Sequence, residues 1–252
     1  MKFCILASGS RGNSIWVEEG GLAILLDCGL SFKELKRRVD LVGLDLRKLA
    51  CVLISHEHRD HISGLGPVTR ALKIPALANR ETSERAAPQV GKVNWQHFTT
   101  GDRLDFGPLK IRTLPISHDT PDPVAFLIES AAGSLGLATD MGVPTGLVRE
   151  KFRGLAALIL EFNHDFRMLM EGPYPWHLKQ RVRSRVGHLA NDVAAELAAE
   201  LHHQDMKHLI LAHLSETNNS PEEALKAALQ ALDEALEPVA ANQWNPTCIF
   251  EF

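Results

Sequence analysis

The chain has 252 residues, 45% of them hydrophobic, enough for one large globular domain spanning residues 1–252 with a substantial core. Its formal charge of -4 gives no global attraction to nucleic acid, so any such binding must come from a local basic patch. No apolar run approaches the ~18 residues that would span a bilayer, and the opening MKFCILASGS turns to Ser and Gly after a short apolar stretch, so no membrane contact or signal peptide is expected and the default location is the cytoplasm.

In chain order, FCILA (3–7), NSIWVEE (13–19) and LAILLD (22–27) are short β-rich runs separated by Gly-rich breaks, a meander that opens a sheet. Residues 31–43 carry helical spacing at Phe32, Leu35, Val39 and Val42, and LACVLIS (49–55) is a strand buried on both faces. A helix is predicted from about Ile62 to Leu72, with Pro75 marking the next strand. Residues 94–140 read as mostly β, through VNWQHFT, LKIRTLPIS, VAFLIES and SLGLATD. From 144 onward helices dominate, interrupted by strands at 155–162 and 207–214. Ser220, Pro221 and Glu223 form a capping box that starts a last helix whose stripe is Leu225, Leu229, Leu232 and Leu236. The four cysteines, Cys4, Cys28, Cys51 and Cys248, sit far apart in apolar contexts and are expected to be buried free thiols. Strands followed by helices twice over predict an α/β fold of two sheets packed face to face with helices outside.

The chemistry concentrates in SHEHRDH. A zincin helix would need histidines four apart, whereas His56 lies two from His58 and five from His61. An extended chain at 56–58 instead points His56 and His58 the same way, while Asp60 and His61 turn into the following helix, a geometry suited to two metals. Further ligands are needed, and three later apolar runs end in candidates: His118, Asp140 and His213. A carboxylate such as Asp140 can bridge two cations with its two oxygens.

SHEHRDH resembles the H-x-H-x-D-H signature of the metallo-β-lactamase superfamily, and His118, Asp140 and His213 follow in that superfamily's order. The resemblance implies a four-layer αββα sandwich. It also implies two divalent ions, Zn or Mn, one held by His56, His58, His118 and Asp140 and the other by Asp60, His61, Asp140 and His213. Asp27, in LLDCG, looks like the early Asp that supports the histidine loop. The stretches LILEFNHD, GPYPWHLKQRVRSRVGHLAND and HLSETNN resemble YycJ/WalJ-type proteins, regarded as 5'-to-3' exonucleases, and more distantly tRNase Z. By that likeness Asp60, His188 and Glu161 carry catalysis: a metal-bridging hydroxide attacks, Glu161 orients His188, and His188 protonates the leaving oxygen. The implied partner is nucleic acid, DNA in particular. A small-molecule hydrolase of the same superfamily, acting on a thioester, lactone or cyclic phosphodiester, remains the alternative.

Lys179, Arg181, Arg183 and Arg185 concentrate positive charge on an acidic chain and are candidates for phosphate contacts. Leu178, Val182 and Val186 are spaced four apart, which equally describes a solvated helix face. His164 is a candidate for substrate or metal contact, or a loop brace. Asn218 could approach a phosphate, or tie the His213 loop together with Asn219. Tyr174 and Trp176 suit base stacking or packing of a Pro-rich turn. The polar turn Ser8, Ser10, Arg11 and Asn13 receives no role.

Overall fold

A computed structural model of the chain describes residues 1–232 and 236–252. Strands β1 (Lys2–Ala7), β2 (Ser14–Glu19) and β3 (Leu22–Leu26) form the expected antiparallel meander. After α1 (Phe32–Leu41) the pairing turns parallel: β4 (Leu49–Leu53), β5 (Ala76–Ala78) and β6 (Trp95–His97) add in turn beside β3. Helices α2 (Arg59–Ile62), α3 (Leu65–Leu72) and α4 (Arg80–Val90) make those connections.

The second half repeats the plan. Strands β7 (Arg103–Phe106), β8 (Leu109–Pro115), β9 (Val124–Ser130) and β10 (Gly133–Ala138) are antiparallel, and β11 (Ala157–Glu161), β12 (His208–Ala212) and β13 (Val239–Ala240) continue in parallel. Helix α5 (Gly146–Lys151) links β10 to β11. Helices α6 (Phe166–Glu171), α7 (Trp176–Val182) and α8 (Asn191–Leu201) lie between β11 and β12, and α9 (Pro221–Ala231) precedes β13. Strand β14 (Phe250–Glu251) returns to pair with β1, giving two seven-stranded sheets.

The two-residue period of the strands sorts their side chains into three apolar layers. Phe3, Ile5, Val17 and Ile24 face Ile111, Phe126, Ile128 and Ile159 between the sheets. Cys4, Leu6, Trp16 and Val52 point the other way, onto Leu35 and Val39 of α1, Leu65 and Val68 of α3 and Ala86 of α4. On the far face, Leu127, Leu158, Leu160 and Leu211 pack on Val148 of α5, Leu197 and Ala198 of α8 and Ala224 of α9. Helix, sheet, sheet, helix is the four-layer α/β sandwich that the sequence implies.

Several local expectations are corrected. The helix after the histidine cluster is two helices, because Gly64 lies between α2 and α3 with its Cα against the Leu30 carbonyl, where no side chain fits. Helix α4 carries no sequence expectation, while β7 falls in the stretch expected to be mostly β. The last helix stops at Ala231 rather than reaching Leu236, and residues 233–235 of its predicted length lie outside the described ones. Its buried face consists of Ala224 and Ala228, small enough for α8 and α9 to approach closely, while Leu229 is exposed. Cys4, Cys28 and Cys51 are buried free thiols, but Cys248 is exposed, because it precedes the two-residue β14 and faces outward.

Candidate metal centre and active site

The candidate ligands follow strand ends along one edge of the sandwich. Asp27 follows β3, residues 54–58 follow β4, His118 follows β8, Asp140 follows β10, Glu161 closes β11 and His213 follows β12. Loops beyond the carboxyl ends of parallel strands are where an open α/β sheet places ligands. Asp27 (φ 58°), Asp140 (φ 57°) and His213 (φ 55°) are left-handed, joined among the described non-glycine residues only by Lys73. Such a conformation costs about 1–3 kcal/mol at a non-glycine residue, so the surroundings must hold it. The amide of Asp27 donates to the Leu53 carbonyl at 2.8 Å, and that of His213 to Ser8 Oγ at 2.7 Å.

The rings present one nitrogen each to a common space because the other is engaged. His61 Nδ1 pairs with Asp27 Oδ2 at 2.7 Å, His56 Nδ1 lies 3.0 Å from Ser55 Oγ, His118 Nδ1 donates to the Gly187 carbonyl at 3.1 Å, and His213 Nδ1 lies 3.0 Å from Glu161 Oε1. This leaves four Nε2 atoms to converge. His58 is turned the other way, with Nδ1 3.2 Å from His118 Nε2. Ring orientation fixed by a second acceptor is the usual arrangement of metal-ligating histidines.

Two adjoining clusters result. Ligand atoms of His56, His58 and His118 lie within 4.8 Å of one another, as do those of Asp60, His61 and His213. Asp140 stands between them, 3.2 Å from His61 Nε2, 3.5 Å from His213 Nε2 and 3.7 Å from His118 Nε2. The donor set fits divalent metal: imidazole and carboxylate are mixed, and His56 Nε2 and Asp140 Oδ2 are buried with no hydrogen-bond partner.

The clusters differ in charge. At His56, burial outweighs the Asp140 carboxylate and holds the ring well below the usual imidazole range; burial also lowers His58 and His118. At His61, burial is overcome by Asp27, Asp140 and Asp60, which raise the ring well above that range. At His213, burial is overcome by Asp140, Asp60 and Glu161, raising it to about 10. Burial disfavours the charged form and adjacent carboxylates favour it; the carboxylates win at one cluster and burial at the other.

Beside this second cluster, Glu161 is fully buried and carries four contacts. It accepts from the amides of Met141 (2.9 Å) and Leu189 (3.1 Å), and its Oε1 meets His188 Nδ1 at 2.7 Å as well as His213 Nδ1. Burial opposes the charge on Glu161, yet His188 and His213 lower it to about 2. Burial likewise opposes a charged His188, while Glu161 raises it above the ordinary imidazole value. With Nδ1 engaged, His188 keeps Nε2 for the cleft. Glu161 therefore orients two imidazoles, whereas sequence reasoning assigned it one.

The remaining candidates separate. His164 and Asn218 are each 1% exposed, so neither side chain is open to a substrate from solvent. The His164 carbonyl accepts from Asn191 N, and the Asn218 carbonyl from Asp165 N, both at 2.9 Å. Burial pushes the His164 ring down to about 4. Asn219 is also buried and pairs with Asn191, bracing the same loop. Helix α7 ends at Val182 and Val186 is 43% exposed, so the apolar stripe expected through Val186 does not form. Lys179 Nζ donates to the Met170 carbonyl, Arg181 pairs with Asp119 at 2.6 Å, and Arg183 lies over the Phe166 ring. Arg185 is the one of the four whose side chain has no such partner among the described residues.

Sequence reasoning missed four residues. Asn13 Nδ2 lies 3.2 Å from Asp60 Oδ2 and 3.0 Å from His61 Nε2, while its Oδ1 accepts from Gly9 N. Ser8 holds the His213 amide. Ser55 donates from both its amide and its hydroxyl to Asp27 and touches His56. Asp119 Oδ1 lies 3.4 Å from both His58 Nε2 and His118 Nε2, and its other oxygen takes Arg181. Ser55 and Asp119 adjoin predicted ligands in sequence, the one signal that could have found them; the distant Ser8 and Asn13 give none.

A family model described as a β-lactamase superfamily domain matches residues 23–214, which include every candidate ligand. The chain is 35% identical over 237 residues to the exodeoxyribonuclease YycJ of Bacillus anthracis, covering 93% of this chain and 90% of that protein. It is 34% identical over 243 residues to the exodeoxyribonuclease WalJ of Streptococcus pneumoniae, covering 93% and 89%. The metallo-β-lactamase fold protein YhfI of Bacillus subtilis superposes with a TM-score of 0.76 over 99% of both chains at 19% identity, a likeness of fold alone. No described helix is long and apolar enough to cross a membrane. With ligand-bearing loops at one sheet edge, a matching domain model and near full-length relatives, this chain belongs to the metallo-β-lactamase superfamily of metal-dependent hydrolases, in the group of YycJ and WalJ.

Proposed function

We propose that the chain is a single-domain, dinuclear phosphodiesterase that degrades DNA from the 5' end towards the 3' end. The observation that carries this reading is the pairing of two ligand clusters, joined by Asp140, with an imidazole at their rim, His188, whose orientation Glu161 fixes. The exodeoxyribonuclease names of relatives that match nearly end to end supply the substrate class.

His56, His58, His118 and Asp140 would hold one cation, and Asp60, His61, Asp140 and His213 the other. Two such cations, when bound, would supply an activated water and neutralise the charge of a phosphodiester during in-line displacement. Asp60 is the candidate ligand with the most open face in its cluster, at 21% side-chain exposure, and would accept a hydrogen bond from the attacking water. His188 Nε2 donates the proton that the leaving 3'-oxygen needs, and Glu161 compensates the charge on the ring. Of the four cations at 179–185, Arg185 is the one without a side-chain partner among the described residues and would meet a substrate phosphate.

The test is degradation of 5'-phosphorylated single-stranded and duplex DNA by metal-stripped protein resupplied separately with Mn²⁺ and Zn²⁺, with Asp60→Ala as control. Nucleotide release that needs metal and is absent from the control supports the reading. Silence with every metal and strand overturns it in favour of a small-molecule ester, thioester or lactone substrate.

A further inference from the structure

Trp244 is 58% exposed, yet polar contacts, some of them buried, fix the backbone around it. The amides of Trp244 and Asn245 both donate to Asn242 Oδ1 at 2.9 Å. The Asn242 carbonyl accepts from Ser8 N at 3.2 Å, and the Gln243 carbonyl from the buried Arg38 at 2.9 Å. The Gln243 side chain, buried too, accepts from Arg11 N at 2.8 Å and donates to the Gly12 carbonyl at 2.9 Å. Arg11 sets its guanidinium 5.2 Å from the Trp244 ring centroid and pairs with Glu216. An apolar ring left in water on so constrained a backbone contributes little to folding, and its open face asks for a partner.

The location says which partner. A cavity of about 340 Å³ lies beside the ring, lined in part by Ser8, Leu214, Ser215, Asn242 and Trp244. Leu214 and Ser215 directly follow His213, and Ser8 holds the His213 amide, so cavity and ligand cluster share a wall. The turn from Gly9 to Asn13 makes a second link, bound to Gln243 at one end and reaching Asp60 and His61 at the other.

We infer that Trp244, backed by Arg11, is a stacking platform for a base of a single-stranded nucleic acid whose scissile phosphate lies at the ligand clusters. The inference rests on the nuclease reading above and adds the side of the cleft along which the strand runs. Base–aromatic stacking accepts any base, because every base has a π-face, which suits an enzyme that moves along a strand. The guanidinium polarises the ring and leaves N–H groups for an adjacent phosphate.

The experiment compares two strands on metal-loaded protein: a short 5'-phosphorylated oligodeoxythymidylate with a cleavage-resistant phosphorothioate backbone, and an abasic counterpart with the same phosphates. Trp244→Ala is expected to weaken the base-bearing strand by about five- to 150-fold, the range for one stacked base. Trp244→Phe should keep most of the affinity, and the abasic strand should bind the native chain and Trp244→Ala alike. Equal losses for both strands, or none for either, overturn the inference. Tryptophan fluorescence adds a second readout: the base-bearing strand should quench the unaltered chain more than Trp244→Phe, in which the equally exposed Trp176 remains, the abasic strand should quench neither, and equal quenching of the two proteins overturns the inference. Unaltered protein that binds neither strand overturns the nuclease reading itself, an outcome distinct from binding to which Trp244 contributes nothing.

Discussion

The two ligand clusters share Asp140 and a residue type but differ in what surrounds the rings. His56, His58 and His118 lie among other imidazoles, with Asp140 and Asp119 at the margin, and burial keeps their rings neutral. His61 and His213 are wrapped by Asp27, Asp60, Asp140 and Glu161, which keep theirs protonated. One cluster is therefore ready for a cation, while the other holds protons where a cation would sit. Identical side chains on one sheet edge are made unequal by their neighbours.

The largest test of this comparison removes the shared group. Asp140→Ala is expected to lose metal at both clusters and activity to background, with a lowered melting temperature, since like-charged rings lose the carboxylate between them; metal analysis and thermal denaturation check it. Retention of both ions would show that the clusters do not depend on a common carboxylate. His188→Ala comes next and separates chemistry from ligation. Its hydrogen bond is to Glu161, while its ring only packs beside those of His118 and His213 at centroid distances of 5.2 and 5.3 Å, so both ions should remain while turnover falls by about 10²- to 10⁴-fold, the range for a lost general acid. Equal metal loss in both variants would sink the role given to His188.

Asp27→Asn sharpens the comparison further. Asp27 meets the second cluster directly, through His61 Nδ1 at 2.7 Å, and reaches the first only by way of Ser55. Metal affinity at the second cluster should fall by about 10- to 100-fold, with little change at the first. Titration with a chromogenic chelator, counting ions per chain, distinguishes a one-site loss from a two-site loss.

What the sequence made legible follows the same division. The candidate ligands stand out because coordination chemistry demands particular residue types, and the strand ends that carry them are marked by apolar runs. Asp27, one residue past β3, and Glu161, the last residue of β11, were reached through family resemblance. Asn13 was not legible, since an amide that touches Asp60 from a turn 47 positions away leaves no local pattern. The arginine segment was ambiguous for a physical reason: a solvated helix face and a phosphate-binding face have the same composition. Side-chain partners resolve three of its cations into internal contacts, with Asp119, Met170 and Phe166. The break at Gly64 had a signal in the glycine itself, but the backbone of Cys28 and Leu30 against which it packs is distant in sequence.

The smallest expected effect is also the most direct reading of the contrast between the clusters. His61 and His213 have raised pKa values in the metal-free chain, so both carry protons at neutral pH, and a cation that takes Nε2 must displace them. Each displaced proton makes that binding step about tenfold tighter per pH unit over the range in which the ring is still protonated. The sign is fixed: affinity at the Asp60, His61 and His213 cluster rises with pH up to the ring's own pKa, about 10 for His213, and levels off above it. At the His56, His58 and His118 cluster the rings are already neutral at pH 7, so affinity there should be nearly flat across pH 7 to 9. Calorimetric titration in buffers of different ionisation enthalpy reads the proton count directly for each step. One step with proton release and one without is the expected result; equal release in both would mean that the carboxylates around the second cluster do not set its proton state, and the contrast between the clusters would fall.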